Sequence, residues 1–132
     1  MSSIKESPMA REVMSTRIAY IDGLATVREA VNMMRHEKVE ALIVEKRSPQ
    51  DAYGIVVIQD IITGVFIPDR SPDDVNVYEI MTKPVVSVPA DMRVRYAARL
   101  LSKFGLKIAP VEDQGAYIGM LSLSSIILSD IV

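Results

Sequence analysis

Apolar residues recur along this chain at two spacings, and the two spacings alternate in the same order twice. Val27, Ala30, Val31 and Met34 stand at i, i+3, i+4 and i+7, one stripe of an amphipathic helix. Val94, Ala97, Ala98 and Leu101 repeat the stripe. Ahead of the first stripe, Ile18-Ala19-Tyr20-Ile21 reads as a short extended run, with a turn at Asp22-Gly23. Thr26-Val27-Arg28-Glu29 has the form of a capping box, threonine at the N-cap and glutamate three residues on. Ala41-Leu42-Ile43-Val44 is a short, continuously apolar strand, and Tyr53-Gly54-Ile55-Val56-Val57-Ile58 a second. A short helix is predicted from about Gln59, weakening near Gly64. In the second copy, residues 85–88 form the short strand and Pro89-Ala90-Asp91 the turn. The helix ends at Gly105, a natural C-terminal breaker. Residues 108–111 and 116–121 are the paired strands, and Ser122 or Ser124 caps a final helix reaching Ile131.

Each copy therefore reads strand, helix, strand, strand, helix. The copies align at an offset of 67 residues, Met14 against Met81, which becomes 65 at Gly54 against Gly119. Glu12/Glu79, Val27/Val94, Arg28/Arg95, Ala30/Ala97 and Val44/Val111 are identical pairs. The predicted fold is mixed α/β (α+β), built of tandem repeats. Repeat one covers residues 9–66 and repeat two 77–132, with residues 67–76, proline-rich and acidic, as a surface linker. Copies of about 55–60 residues are marginally stable alone, so the two are expected to bury apolar faces together.

Composition narrows the function classes. With 49% hydrophobic residues and only 5% aromatic ones, aliphatic side chains build the core. A net charge of −2 gives no reason to expect a nucleic-acid partner. Zero cysteines exclude disulfides and thiolate metal sites. Met1-Ser2-Ser3-Ile4-Lys5-Glu6 lacks the apolar run of a signal peptide, and no apolar stretch approaches the ~20 residues of a membrane helix. A soluble cytoplasmic domain without a membrane partner is expected.

The repeats resemble tandem cystathionine β-synthase (CBS) domains, the paired arrangement called a Bateman module. The resemblance runs from about residue 9 to 130. It rests on Val13-Met14-Ser15 and Ile80-Met81-Thr82, and on Ala30 and Ala97. It rests also on Leu42-Ile43-Val44 and Ala109-Pro110-Val111, and on the segments 54–60 and 119–125. It implies two repeats related by a pseudo-twofold axis, with clefts at their interface. Members often bind AMP, ADP, ATP, S-adenosylmethionine or related nucleotides there, with no cofactor required. The family pattern is Gly, two apolar residues, Thr/Ser, two residues, then Asp. The carboxylate accepts from the ribose hydroxyls, and the hydroxyl meets phosphate beside a helix N-terminus.

This chain splits that pattern. The first copy has Asp60 but Val57 in the hydroxyl position; the second has Ser122 but Ser125 in the aspartate position. The basic residue that precedes the second strand in relatives is Lys107 in one copy and Glu40 in the other. If each cleft joins one copy's Thr/Ser-x-x-Asp end to the other copy's first strand, one holds Asp60, Val57, Glu40, Val85 and Val86, suited to ribose. The other holds Ser122, Ser125, Lys107, Ile18 and Ala19, suited to phosphate.

Each signal has a plainer structural reading. Asp60 fits a first-turn acid, Ser122 and Ser124 fit helix caps, and Lys107 fits a solvated strand-edge lysine. His36, the single histidine, fits a helix end, and Met33, Met34, Met92 and Met120 fit core filling. The sequence contains no Gly-x-Ser-x-Gly, no phosphate-cradling glycine loop and no second histidine for a metal pair, so an enzyme is not expected. The expected function is a stand-alone regulatory module that senses an adenosyl ligand and signals to an unknown effector protein. The alternative is a ligand-free dimerisation or docking module with degenerate clefts. A homodimer is expected, closed by the helices around residues 30–34 and 97–101 and the last helix of each repeat.

Overall fold

A computed structural model of the protein describes residues 7–129. Two three-stranded sheets are present, each with the same order and the same mixed pairing. The elements are α1 (Ala10–Val13), β1 (Tyr20–Ile21), α2 (Val27–Glu37), β2 (Ala41–Val44), β3 (Gly54–Val57) and α3 (Ile58–Ile61). They continue as β4 (Val88–Pro89), α4 (Val94–Lys103), β5 (Ile108–Asp113), β6 (Ala116–Ser122) and α5 (Leu123–Ile127). The mixed α/β repeat is as the sequence predicts. The chain divides into two compact units, one from Ile18 to Val85 and the other joining the segment before Ile18 to the chain from Val86 onward.

In the unit from Ile18 to Val85, β1 runs parallel to β2, Tyr20 beside Ile43. β2 is antiparallel to β3, with Ala41 opposite Val57 and Val44 opposite Gly54. All four residues of β2 are buried, which is why it reads as an unbroken apolar run. The predicted capping box starts α2: Thr26 Oγ1 accepts from the Glu29 N–H, and Glu29 accepts from the Thr26 N–H, both at 3.2 Å. Val27, Ala30 and Met34 of the stripe are buried, and Ala30 and Met34 pack with Ile21, Leu42, Val44 and Val56. The larger of these, valine, leucine, isoleucine and methionine, contribute roughly 1.5–3 kcal/mol each through burial. The helix stops at Lys38, which takes a left-handed conformation (φ 57°).

After β3 the chain makes one α turn, then a π-helical turn over Ile62–Phe66. Gly64 lies inside this π turn, packed against Ile80. A Cβ on Gly64 would stand 2.7 Å from Cγ2 of Ile80. The segment expected to be a surface linker is partly core: Val75 is buried, and its C=O accepts from the Val27 N–H at 2.8 Å. The Lys83 ammonium meets Asp51 at 2.7 Å. Bonded to Lys83 and to the amides of Arg47 and Ala52, the Asp51 carboxyl titrates at about 2.

The other unit repeats this plan. β4 runs parallel to β5, Val88 beside Val111, and β5 is antiparallel to β6, Ile108 opposite Ser122. Val94, Ala97 and Leu101 of α4 are fully buried with Val88, Ala109, Val111 and Leu121. Boundaries differ from expectation, and of the strand expected over residues 85–88 only Val88 lies in β4. Pro89, placed in the turn by sequence, is in β4: the following Ala90 N–H donates to the Glu112 C=O at 2.8 Å, and an edge strand tolerates a proline. α5 ends at Ile127, and Ile131 lies outside the described residues.

The compact units do not follow the sequence repeats. The opening residues of the first repeat, with Pro8 before them, pack in the unit of the second: Ser15 and Met120 exchange two main-chain bonds of 2.8 Å, and the Val94 N–H donates to Pro8. The opening residues of the second repeat pack in the unit of the first: Thr82 and Ile55 exchange two bonds of 2.9 Å. Each crossing seats a methionine over a glycine. A Cβ on Gly54 would meet the Met81 sulfur at 2.9 Å and the Thr82 carbonyl at 3.1 Å. A Cβ on Gly119 would overlap the Met14 sulfur and stand 2.6 Å from the Ser15 carbonyl. A methionine side chain can swing aside, but a carbonyl held in a ladder cannot. Both glycine-to-alanine substitutions should therefore destabilise by about 1–3 kcal/mol, with Gly119→Ala the costlier. Urea denaturation of the two variants checks the order, and equal costs would show that the carbonyl is not the obstacle.

Candidate functional site

The sequence candidates gather at one end of each sheet. In the unit from Ile18 to Val85, Val57 ends β3 opposite Ala41, directly after Glu40. Asp60 follows three residues on, and its Oδ2 accepts from the Val57 N–H at 2.9 Å. Ala19 comes to this end through β1, its C=O accepting from the Ile43 N–H at 3.0 Å, and Ile18 precedes it. Val85 is elsewhere: its N–H donates to Tyr53 at 2.9 Å, beyond the Gly54 end of β3. Strand register thus sets Ile18 and Ala19, not Val85, beside the Asp60 end of this sheet. Val86 lies in the other unit, while Ile18 and Ala19 share a unit with Asp60.

Val86, Lys107, Ser122 and Ser125 belong to the other unit. Lys107 is exposed, and its C=O accepts from the Leu123 N–H at 2.9 Å. Ser122 and Ser125 cap α5 reciprocally: Ser122 Oγ accepts from the Ser125 N–H at 2.9 Å, and Ser125 Oγ accepts from the Ser122 N–H at 3.1 Å. The Ser125 hydroxyl also donates to the Ser122 C=O at 2.9 Å. Position 125 therefore does for α5 what Asp60 does for α3, tying back the amide three residues earlier. Serine satisfies that amide without bringing a charge, so the local fold tolerates the missing aspartate. The Ser122 O–H retains its proton for another acceptor; the Ser125 hydroxyl is committed.

Asp60 differs electrostatically from its serine counterpart. Half-buried, its carboxyl is pushed above the usual aspartate value by loss of solvent, and the Val57 N–H offsets this only in part. One oxygen is bonded to that amide, which leaves the other for hydroxyl donors. A carboxylate short of water is one that gains from new donors.

Among the described residues no group of three or more His, Cys, Asp or Glu is placed to hold a metal ion. No described helix is long and apolar enough to cross a membrane.

The CBS domain family model matches the chain at residues 10–66 and again at 77–130. The chain belongs to the CBS domain family. It is 30% identical over 77% of its length to an uncharacterised protein of Methanopyrus kandleri, and spans 52% of that protein. A mitochondrial CBS domain-containing protein of Arabidopsis thaliana, CBSX3, is 28% identical over 92% of this chain, which spans 64% of it. The chain thus covers between half and two thirds of these relatives. Among solved structures, a hexameric CBS-CP12 protein from bloom-forming cyanobacteria superposes with a TM-score of 0.88 at 40% identity. That match covers 92% of this chain and 70% of the other. The two family segments are the two sequence repeats, so the CBS pair exchanges its lead-in segments between compact units.

The raised Asp60 carboxyl has a sign. A folded-state value above the ordinary 3.8 means that the folded protein binds the proton more tightly. The contribution is favourable below that value and is lost as pH rises through the folded one. Asp60→Asn keeps an acceptor for the Val57 amide and removes the ionisation. Its urea midpoint should therefore gain on wild type as pH rises from about 3.5 towards neutral. A gap that does not change with pH would show the carboxyl to be adequately solvated.

Proposed function

We propose that this CBS pair is a regulatory ligand-binding module that takes an adenosine-containing ligand, AMP, ADP, ATP or S-adenosylmethionine, at the Asp60 end of its first sheet. The observation that carries this reading is the half-buried Asp60 carboxylate, with one oxygen fixed and the other available to a ribose. Ile18 and Ala19 supply an aliphatic edge and main-chain groups for a base at the same end. Glu40 also sits there and opposes phosphate, which favours ligands carrying little negative charge near that residue. No catalytic residue is proposed; occupancy is the output, passed to a separate effector.

A second reading has its own support. Both hydroxyls of the Ser122 end serve the cap of α5, and the helices expose apolar side chains suited to association. The expected interface needs correction. Ala30, Met34, Ala97 and Leu101 are buried inside their own units and offer nothing to a partner. Exposed apolar residues among those described include Ile58, Phe66 (75% exposed) and Ile67 in one unit, and Tyr96, Phe104, Ile127 and Leu128 in the other. The hexameric CBS-CP12 relative supports self-association, and exposed apolar residues are candidates for the contact.

A thermal-shift screen with AMP, ADP, ATP, S-adenosylmethionine, NAD and adenosine should find at least one stabilising compound. At 100 times its dissociation constant a ligand adds about 2.7 kcal/mol, several degrees for a domain of this size. For that compound Asp60→Asn should weaken binding about tenfold to hundredfold by calorimetry. A flat screen would favour the docking module. Light scattering should give a mass above the 14.6 kDa of one chain, and Phe66→Glu with Ile67→Glu should lower it. A wild-type mass of one chain at micromolar protein would end the self-association proposal.

A further inference from the structure

Beyond the Val44 end of β2, away from Asp60, the unit from Ile18 to Val85 contains a cavity of about 600 Å³. Leu24, Tyr78 and Met81 form its apolar lining, and Lys46, Arg47 and Lys83 its cationic lining. The size lies within the range of small-molecule sites. β2 has four residues, so this cavity and the Asp60 end are separated by about 10 Å of strand.

The other unit shows what this cavity lacks. The Tyr78 N–H donates to the Gly23 C=O at 2.9 Å, as the Arg11 N–H donates to the Ala90 C=O at 3.0 Å. The Val77 N–H donates to Ala25 and the Ala10 N–H to Met92, both at 2.8 Å. These bonds make Tyr78 the counterpart of Arg11. The same 67-residue offset pairs Leu24 with Asp91 and Lys46 with Asp113. Arg11 bridges Asp91 at 2.8 Å and Asp113 at 3.4 Å, an ionic strap across that end of its sheet. In the first unit all three strap positions are changed. Leucine, lysine and tyrosine cannot make the strap, and their side chains line the cavity instead.

The charges around the cavity indicate what it would take. Lys83 is committed to Asp51. Lys46 and Arg47 remain, facing two further lining carboxylates, Asp22 and Glu45. Among the described residues none of these four groups is in an ion pair; Asp22 accepts from the Leu24 N–H, and Lys46 stands 4.9 Å over the Tyr53 ring. Two positive and two negative groups, beside exposed leucine and tyrosine, match a ligand that carries both charges and an apolar body. We infer that this cavity is a second binding site, for a free α-amino acid with an apolar or aromatic side chain. Its carboxylate would meet Arg47 and Lys46, its ammonium Asp22 and Glu45, and its side chain Leu24 and Tyr78.

Two-dimensional NMR on the whole chain, titrated with L-phenylalanine and L-leucine, tests the inference. At least one should shift the amides of Leu24, Arg47 and Tyr78 saturably below about 10 mM, with smaller changes near Asp60. Phenylacetate and phenethylamine, each carrying one of the two charges, should bind several-fold more weakly. The variant Leu24→Asp/Lys46→Asp/Tyr78→Arg rebuilds the strap and should abolish the shifts. Should that variant fail to fold, Arg47→Ala, at an exposed position, should weaken binding about tenfold. The inference is overturned by any of three results: no saturable shifts, phenylacetate or phenethylamine binding as tightly as the amino acid, or undiminished binding in the folded strap variant and in Arg47→Ala.

Discussion

The short ladders that each lead-in segment makes with the other repeat's sheet hold this architecture together. β3 and β6 are outer strands of three-stranded sheets, and an unpaired outer strand exposes amides and carbonyls to any passing chain. Thr82 on Ile55 and Ser15 on Met120 occupy part of those edges. The same segments bring Val77 and Ala10, both fully buried, into their respective cores. Gly54 and Gly119 are what the ladders require, because any side chain there meets the incoming methionine or its neighbour's carbonyl. The main-chain pairing therefore fixes the glycines, the methionines and the small residues of each unit together.

Much of each unit was legible in the sequence because its signals are local. The Thr26–Glu29 box, the 27–30–34 stripe and the fully apolar β2 each depend on residues a few positions apart, and each is found as expected. What sequence could not place depends on distant partners. Nothing local tells that Val13-Met14-Ser15 serves the second repeat's sheet, or that Val75 in a proline-rich stretch is core. Ala30 and Met34, assigned to an interface, are consumed by their own sheet; amphipathicity marks a face to be buried without naming what buries it. Several exposed apolar residues, Ile58, Phe66, Ile67, Ile127 and Leu128, lie in the short helical turns after β3 and β6, where periodicity is too brief to read.

The candidate site shows the same division. Asp60, Val57, Ser122 and Ser125 were identifiable by position, and the structure adds that positions 60 and 125 hold the first turn of their helices. Local folding there needs only an acceptor, so drift between aspartate and serine leaves the fold intact and changes the charge. The grouping of Ile18 and Ala19 with Asp60 follows from parallel register, which a single sequence does not display. The cavity beyond Val44 escaped notice because its origin is a set of absences: three residues whose counterparts are ion-paired and which are not.

The crossed lead-in segments also set an order of events during synthesis. When the ribosome has released the first repeat through its last helix, the strand edge at Ile55 is still waiting for Thr82, and Ser15 has no sheet to join. The unit from Ile18 to Val85 becomes complete only once translation has passed into the second repeat. The other unit closes last, around a segment made before Ile18. The stretch from Pro8 to Ser15 must stay available until the strand that carries Met120 has been made.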